Sequence, residues 1–249
     1  MEGFFKRIEE KKKLLDSHRP LPEYTVKSIR ESLLLEWTYN SNAIEGNTLT
    51  LMETKVVLEG ITVGGKTLRE HLEIVNHKEA ILYVEEIVQN KESLSEWQIK
   101  NIHRLVLKGI SDKYAGTYRD QDVIISGATH TPPNFLSVPE EMKKLITWYK
   151  TDAQKLHPIE RAAYLHGIFV GIHPFIDGNG RTARLLLNLE LMKNGYPPIV
   201  IRNENRIDYY NSLDKANSTD DYTDFIKLVA VEVERSLDLY LNLIKRTDS

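Results

Sequence analysis

Apolar residues recur every three to four positions along nearly the whole chain, and glycine and proline punctuate the runs. That period is the signature of helices with one buried face, and it excludes a protein built on sheets. Val26, Ile29, Leu33 and Trp37 predict a helix over 26–39. Thr50 with Glu53 reads as a capping box opening a helix that stops at Gly60. Leu68, Leu72, Val75, Leu82 and Ile87, set among charges, predict a long helix over 66–90. Ser95 with Gln98 and Ser137 with Glu140 read as further capping boxes, for helices ending near Gly109 and Tyr149. Pro158 opens the next helix and Pro174 breaks it; another runs from Asn179 to Asn194, ahead of Gly195. Phe225, Val229, Val233, Leu237, Leu241 and Ile244 form the stripe of a C-terminal helix.

One stretch departs from the period. Residues 116–133 hold Tyr118, Val123, Ile124 and Ile125, then Gly127, Thr129, Thr131 and two prolines, which predicts a short β-hairpin leaning on the helices. It either plugs a gap or contacts a partner. With no repeat or linker in the 249 residues, the expectation is an all-α, mainly helical fold with one small β-hairpin, in a single domain over 1–249. Composition narrows the chemistry. The absence of cysteine excludes disulfides, thiolate zinc sites, iron–sulfur clusters and cysteine nucleophiles. A formal net charge of −3 argues against a general nucleic-acid binder. The charged run Glu9–Lys13 leaves no apolar signal core, and no stretch reaches membrane-span length, so a cytoplasmic protein with no membrane or nucleic-acid partner is expected.

The chemistry concentrates between His173 and Arg184. Gly178 and Gly180 allow a tight turn directly before the helical run that starts at Leu185. Free N–H groups and the positive dipole end of a helix make such a turn an anion site. Arg181 and Arg184 lie three apart on one face of the first turn, where cations oppose the dipole unless an anion sits between them. Polyphosphate suits paired guanidinium groups. Asp177 offers a hard oxygen to Mg²⁺, and His173 offers an imidazole that takes a proton near neutral pH.

The run His173-Pro-Phe175-Ile-Asp177-Gly178-Asn179-Gly180-Arg181-Thr-Ala-Arg184 resembles the signature of the Fic family at every specified position. The likeness continues in Gly116–Arg119, in His130-Thr-Pro-Pro133, in His157-Pro158 and in Gly195–Pro198, and spans about 26 to 235. It implies a helical enzyme that moves AMP from ATP to a protein serine, threonine or tyrosine hydroxyl and releases pyrophosphate. By that likeness His173 is the base, Asp177 holds Mg²⁺, and Gly178, Asn179 and Gly180 form the anion hole. Arg181 and Arg184 contact the β- and γ-phosphates. The hairpin becomes a flap that holds the target segment as an added strand, with Ser126, Gly127, Ala128, Thr129 and His130 bordering the nucleotide. Tyr210 and Asn217 line the adenine pocket, with core packing the other reading of Tyr210. Glycine rather than lysine at 180 separates the chain from the related Doc kinases.

Ser41-Asn-Ala-Ile-Glu45-Gly46 matches the family's inhibitory pattern. By itself it reads equally as a helix cap and stop. Beside the signature it implies a brake: Glu45, at the end of a short helix begun by Ser41 and closed by Gly46, forms a bidentate pair with Arg184 and denies it to the γ-phosphate. Residues 1–60 are then N-terminal helices carrying the brake, and 61–249 the catalytic core. AMP removal, or another diphosphate-containing donor on the same fold, stays open as an alternative, as does a non-catalytic module. The family leaves room for a homodimer through a helical surface. With no room after the last helix for a DNA-binding domain, target choice is expected from the flap or from residues 1–25. His103, His157 and His166 read as packing or surface histidines, Glu9–Lys13 as a solvated helix face, and Lys143 and Lys144 as surface charges.

Overall fold

A computed structural model describes residues 2–247. Its helices are α1 (Glu2–Ser17), α2 (Glu23–Ile44), α3 (Leu51–Leu58), α4 (Leu68–Gln89), α5 (Glu96–Leu107), α6 (Val138–Lys150), α7 (Pro158–Ile172), α8 (Asn179–Lys193), α9 (Arg206–Thr219) and α10 (Thr223–Thr247). The pair α7–α8 is the spine. Helix α8 is apolar nearly all round because it serves two cores. Leu185, Leu186 and Leu189 enter one built with α2, α4, α5, α6 and α7. Leu187 and Leu191 enter a second, built with α1, α7, α9 and α10. Each fully buried leucine contributes roughly 1.5–3 kcal/mol, so these five alone hold the spine by about 10 kcal/mol.

The helix ends follow local chemistry. Thr50 and Thr67 each accept from the amide three residues on, and Glu53 and Glu70 answer with the reciprocal bond. The box expected at Ser95 does not form: its hydroxyl turns to the Gln98 side chain. Nor does Ser137 cap α6, because a 3₁₀ turn over Phe135–Ser137, capped by Asn134, precedes it. Helix α2 is longer than expected, running unbroken to the brake motif, so that motif sits on the last turn of a 22-residue helix rather than on a short one.

The hairpin is absent: among the described residues no strand is present. Side chains hold the two arms of 116–133 instead of a ladder. The Arg119 guanidinium donates to the carbonyls of Gln121 (3.0 Å), Pro133 and His173 (2.9 Å). Asp122 accepts from Asn134 Nδ2 and the Phe135 amide, both at 2.8 Å. Pro132 and Pro133 have no N–H to give a ladder, and carboxylates take the amides of Thr129, His130 and Phe135.

The run Glu9–Lys13 is only partly a solvated face. Lys11 pairs with Glu234 and Asp238 of α10, and Glu9 accepts from the Tyr196 hydroxyl and faces His157 Nε2 at 3.2 Å. Lys144 pairs on the surface with Glu140 and Glu141. No helix among the described residues is long and apolar enough to cross a membrane.

Candidate active site

Helix α7 stops at Ile172, and His173 follows in the left-handed region at φ +49°, its amide held by the Phe169 carbonyl at 3.1 Å. An L-residue there carries strain of about 1 kcal/mol, which the surroundings must hold. Arg119 supplies the clasp: its amide donates to Pro174 O and its Nε to His173 O, each at 2.9 Å. Asn179 closes the turn from inside, accepting from the Phe175 amide (3.0 Å) and donating to the Phe175 carbonyl (2.8 Å). Its side chain is therefore spent on the turn, and any part it takes in an anion hole falls to its backbone. Gly178 sits at φ +78°, where a Cβ would be strained and would crowd Val106 Cγ1 at 3.2 Å and His103 Nε2 at 3.3 Å.

His103 does more than pack. Its Nδ1 accepts from the Gly116 amide (2.9 Å), which leaves the proton on Nε2 to donate to Asp177 O at 2.8 Å. The ring stacks flat on Phe175 at 3.5 Å. Burial pushes its pKa down to about 4, so at neutral pH one tautomer is held in place. His157 caps α7, and buried His166 faces the Tyr209 hydroxyl at 3.0 Å.

Beyond the turn, α8 begins with amides that have no helical partner. The Glu45 carboxylate packs against this first turn: a Cβ on Gly180 would overlap Glu45 Oε1. Arg184, only 2 % exposed, meets Glu45 through a single bond, Nη2 to Oε1 at 2.7 Å. The expected bidentate pair does not form: Ser41 and Tyr209 take three of the other four N–H groups. Nε donates to Ser41 Oγ (2.9 Å), Nη2 also to Ser41 O (2.7 Å), and Nη1 to the Tyr209 hydroxyl (3.2 Å). Gly46, at φ +95°, turns the chain away from α2.

A cleft of about 490 Å³ opens above this floor. Glu45, His173 and Gly180 line it, together with Ser126, Gly127, Ala128 and His130 and with Tyr210 and Asn217 of α9. Asp177, Gly178, Asn179, Arg181 and Arg184 stand outside that lining, with Arg184 buried beneath Glu45. Thr129 turns away: its amide and hydroxyl, with the His130 amide, bind the Asp214 carboxylate at 2.7–3.0 Å. Tyr210 is 46 % exposed, which corrects the core-packing alternative, and its hydroxyl donates to Ile44 O at the end of α2 (2.9 Å). Sequence reasoning missed Tyr209, Asp214 and the positioning work of His103. A heptad-blind reading of two adjacent tyrosines cannot tell the inward one, because neighbours on a helix point about 100° apart.

Electrostatics set the protonation states. Burial foremost, with Arg119 and His130, holds the His173 imidazole below its ordinary pKa against the pull of Val170 and Glu45, so it is neutral at pH 7. Burial alone raises the Asp177 carboxyl, but Arg181, the Gly178 amide and Arg69 outweigh it and hold it ionised. Among the described residues no three acidic or histidine side chains gather into a metal cage. A single ionised carboxylate, its side chain 41 % exposed, still fits a Mg²⁺ ion that arrives on phosphates, because that ion takes most ligands from phosphate and water.

Comparison with known proteins gives these features a context. Residues 93–191 match the model of the Fic/DOC family. A Nematostella vectensis protein named protein adenylyltransferase Fic is 42 % identical over 238 residues, 94 % of this chain and 55 % of that protein. The Caenorhabditis elegans protein adenylyltransferase fic-1 is 38 % identical over 87 % of this chain and 43 % of its own length. The chain thus spans about half the length of the curated relatives it matches. Among solved structures, a Fic domain containing signaling protein from Bacteroides thetaiotaomicron superposes with a TM-score of 0.88 at 34 % identity, over 98 % of this chain and 97 % of that one. A Fic-1 fragment from C. elegans superposes at 0.87 with 34 % identity, over 98 % and 73 %.

Proposed function

Because this chain belongs to the Fic/DOC family, we propose that it is a protein adenylyltransferase, moving AMP from ATP to a serine, threonine or tyrosine hydroxyl and restrained by its own Glu45. The relatives named adenylyltransferases, alike over nearly all of the chain, support the reaction. The observation that carries the restraint is the Glu45 carboxylate packed against the first turn of α8 and bonded to Arg184, beside His173 in one cleft.

In this reading the neutral His173 imidazole takes the proton of the target hydroxyl. The oxygen attacks the α-phosphorus, the bond to pyrophosphate breaks, and AMP remains on the target. The amides of Asn179 and Gly180 face the phosphoryl oxygens, the Gly178 amide being held by Asp177 Oδ1 at 2.6 Å, and Arg181 and Arg184 face the leaving pyrophosphate. Ser126, Gly127, Ala128 and His130, with Tyr210 and Asn217, hold the nucleoside. Asp177 would hold Mg²⁺, which supplies positive charge to the phosphates. The target segment lies along 123–126, whose backbone meets no sheet partner. Residues 1–60 carry the brake and 61–249 the chemistry. Arg184 is already fixed by Ser41 and Tyr209, so freeing it needs only the departure of Glu45. The same carboxylate beside His173 favours a second reading, the hydrolytic removal of AMP.

The test is label transfer from α-phosphate-labelled ATP with Mg²⁺, to the chain itself and to proteins of a lysate. Glu45→Gly raises the labelling by at least an order of magnitude, and His173→Ala abolishes it in that background. An unchanged rate in Glu45→Gly overturns the brake. Absence of label in every variant moves the assignment to AMP removal or to another donor.

A further inference from the structure

Arg69, on the first turn of α4 and outside both motifs, reaches across to the motif turn. Its Nη2 donates to Asp177 Oδ2 at 2.6 Å and its Nε to Glu73 Oε1 at 3.1 Å. Arg181 completes a ring, with Nη2 3.1 Å from Asp177 Oδ1 and Nη1 3.3 Å from Glu73 Oε1. The other Glu73 oxygen accepts from Asn47 Nδ2 at 2.9 Å, two residues beyond Glu45. A polar chain thus runs from the turn of the brake to Asp177 without passing through Arg184. Within the ring the two arginines differ. Arg181 is buried, with a side chain 2 % exposed, whereas the Arg69 side chain is 58 % exposed, on a long stem at the outer edge of the ring.

We propose that Arg69 is a tethered cation on Asp177: a positioning residue that occupies the carboxylate oxygen the nucleotide-borne metal ion needs, and so raises the free Mg²⁺ required to load nucleotide. This inference rests on the reading of Asp177 as the metal carboxylate. Two cations compete for Oδ2, one held at high local concentration by the chain and one drawn from solution. The resident one is anchored by Glu73, and Glu73 is anchored by Asn47, so the cation requirement is linked to the seat of α2. A half-exposed ion pair is weak, so the handicap is about two- to fivefold in Mg²⁺ concentration.

The experiment is calorimetric binding of a non-hydrolysable ATP analogue across a Mg²⁺ series, in a Glu45→Gly background, to chains carrying Arg69, Arg69→Lys, Arg69→Ala or Asp177→Asn. Thermal melts confirm folding of each. The expected result is a half-saturating Mg²⁺ concentration about two- to fivefold lower in Arg69→Ala, an intermediate value in Arg69→Lys, and equal affinity for the analogue at saturating Mg²⁺. Weaker analogue binding by Arg69→Ala at saturating Mg²⁺ makes Arg69 a phosphate ligand and overturns the competition, as does an unchanged Mg²⁺ midpoint. If Asp177→Asn keeps the midpoint of the parent, the reading of Asp177 fails, and that outcome is separate from the other two.

Discussion

Two residues hold Arg184 from α2, and the structure separates what each does. Ser41 is 1 % exposed and accepts from Nε of a guanidinium that is itself buried. Ser41→Ala keeps the Ser41 carbonyl bond but leaves a charged donor unpaired away from water. A bond to a charged group contributes about 1.5–3 kcal/mol, and for a chain of this size each kcal/mol moves Tm by about 2–4 °C. Ser41→Ala therefore lowers Tm by roughly 3–12 °C. Glu45 differs. Its side chain is 33 % exposed, it makes one bond to Arg184, and solvent takes its place when it goes. Its backbone, at φ −86°, needs no glycine, so Glu45→Gly adds only the flexibility cost at a helix end. The pair and that cost come to about 1 kcal/mol, a Tm loss of roughly 2–4 °C. Activity runs the other way: Glu45→Gly clears the first turn of α8 and raises AMP transfer steeply, while Ser41→Ala leaves the carboxylate in place and raises it little. Circular dichroism melts and the labelled-ATP assay on the same preparations read both axes. A lower Tm for Glu45→Gly than for Ser41→Ala would refute the assignment of Ser41 as the seat and Glu45 as the plug.

Acid should weaken the fold through its buried imidazoles. His103 has a folded pKa of about 4 against 6.5, and His77 and His166 are pushed down by burial in the same direction. Above pH 6.5 these groups are neutral in both states and stability does not depend on them. Below it the unfolded chain binds protons first, so stability falls from pH 6.5 to about 4, by on the order of 3 kcal/mol for His103 alone. Urea midpoints across that range should flatten in His103→Gln, which cannot titrate; an undiminished slope contradicts the assignment. Tyr210→Phe removes the hydroxyl that caps Ile44 O at the end of α2. Because that site borders open cleft, the expected loss is under about 1 kcal/mol, with a measurable rise in AMP transfer. A rate equal to wild type removes Tyr210 from the brake.

How much was legible in advance depends on how far apart the interacting residues lie. The turn from His173 to Arg184 is local: helix stop, glycine bend and helix start lie within twelve residues, and each depends on backbone chemistry that a sequence displays. The capping box expected at Thr50 forms for the same reason, since cap and partner are three residues apart, and the structure adds a second at Thr67. Even local signals fail where a competitor intervenes, as at Ser95, whose hydroxyl found the Gln98 side chain, and at Ser137, preceded by a 3₁₀ turn. The stretch 116–133 follows the same principle: alternation and turn residues predict a ladder, but Arg119, Asp122 and Asp214 take carbonyls and amides that a ladder would use.

The amino-acid sequence alone therefore determined the helical class, the helix ends governed by one turn of chain, and the gathering of a histidine, a carboxylate and two arginines around one helix start. Tertiary structure alone decided which partner each charge met. Arg184 joins Ser41 across 143 residues, Arg69 joins Asp177 across 108, and Thr129 joins Asp214 across 85. It also decided that Tyr209 points inward and Tyr210 into the cleft. Hydrophobic periodicity specifies which face of a helix is buried, but not the neighbour that face meets. Pairing of charges across packed helices follows only once the two cores on either side of α8 have set the helices in place.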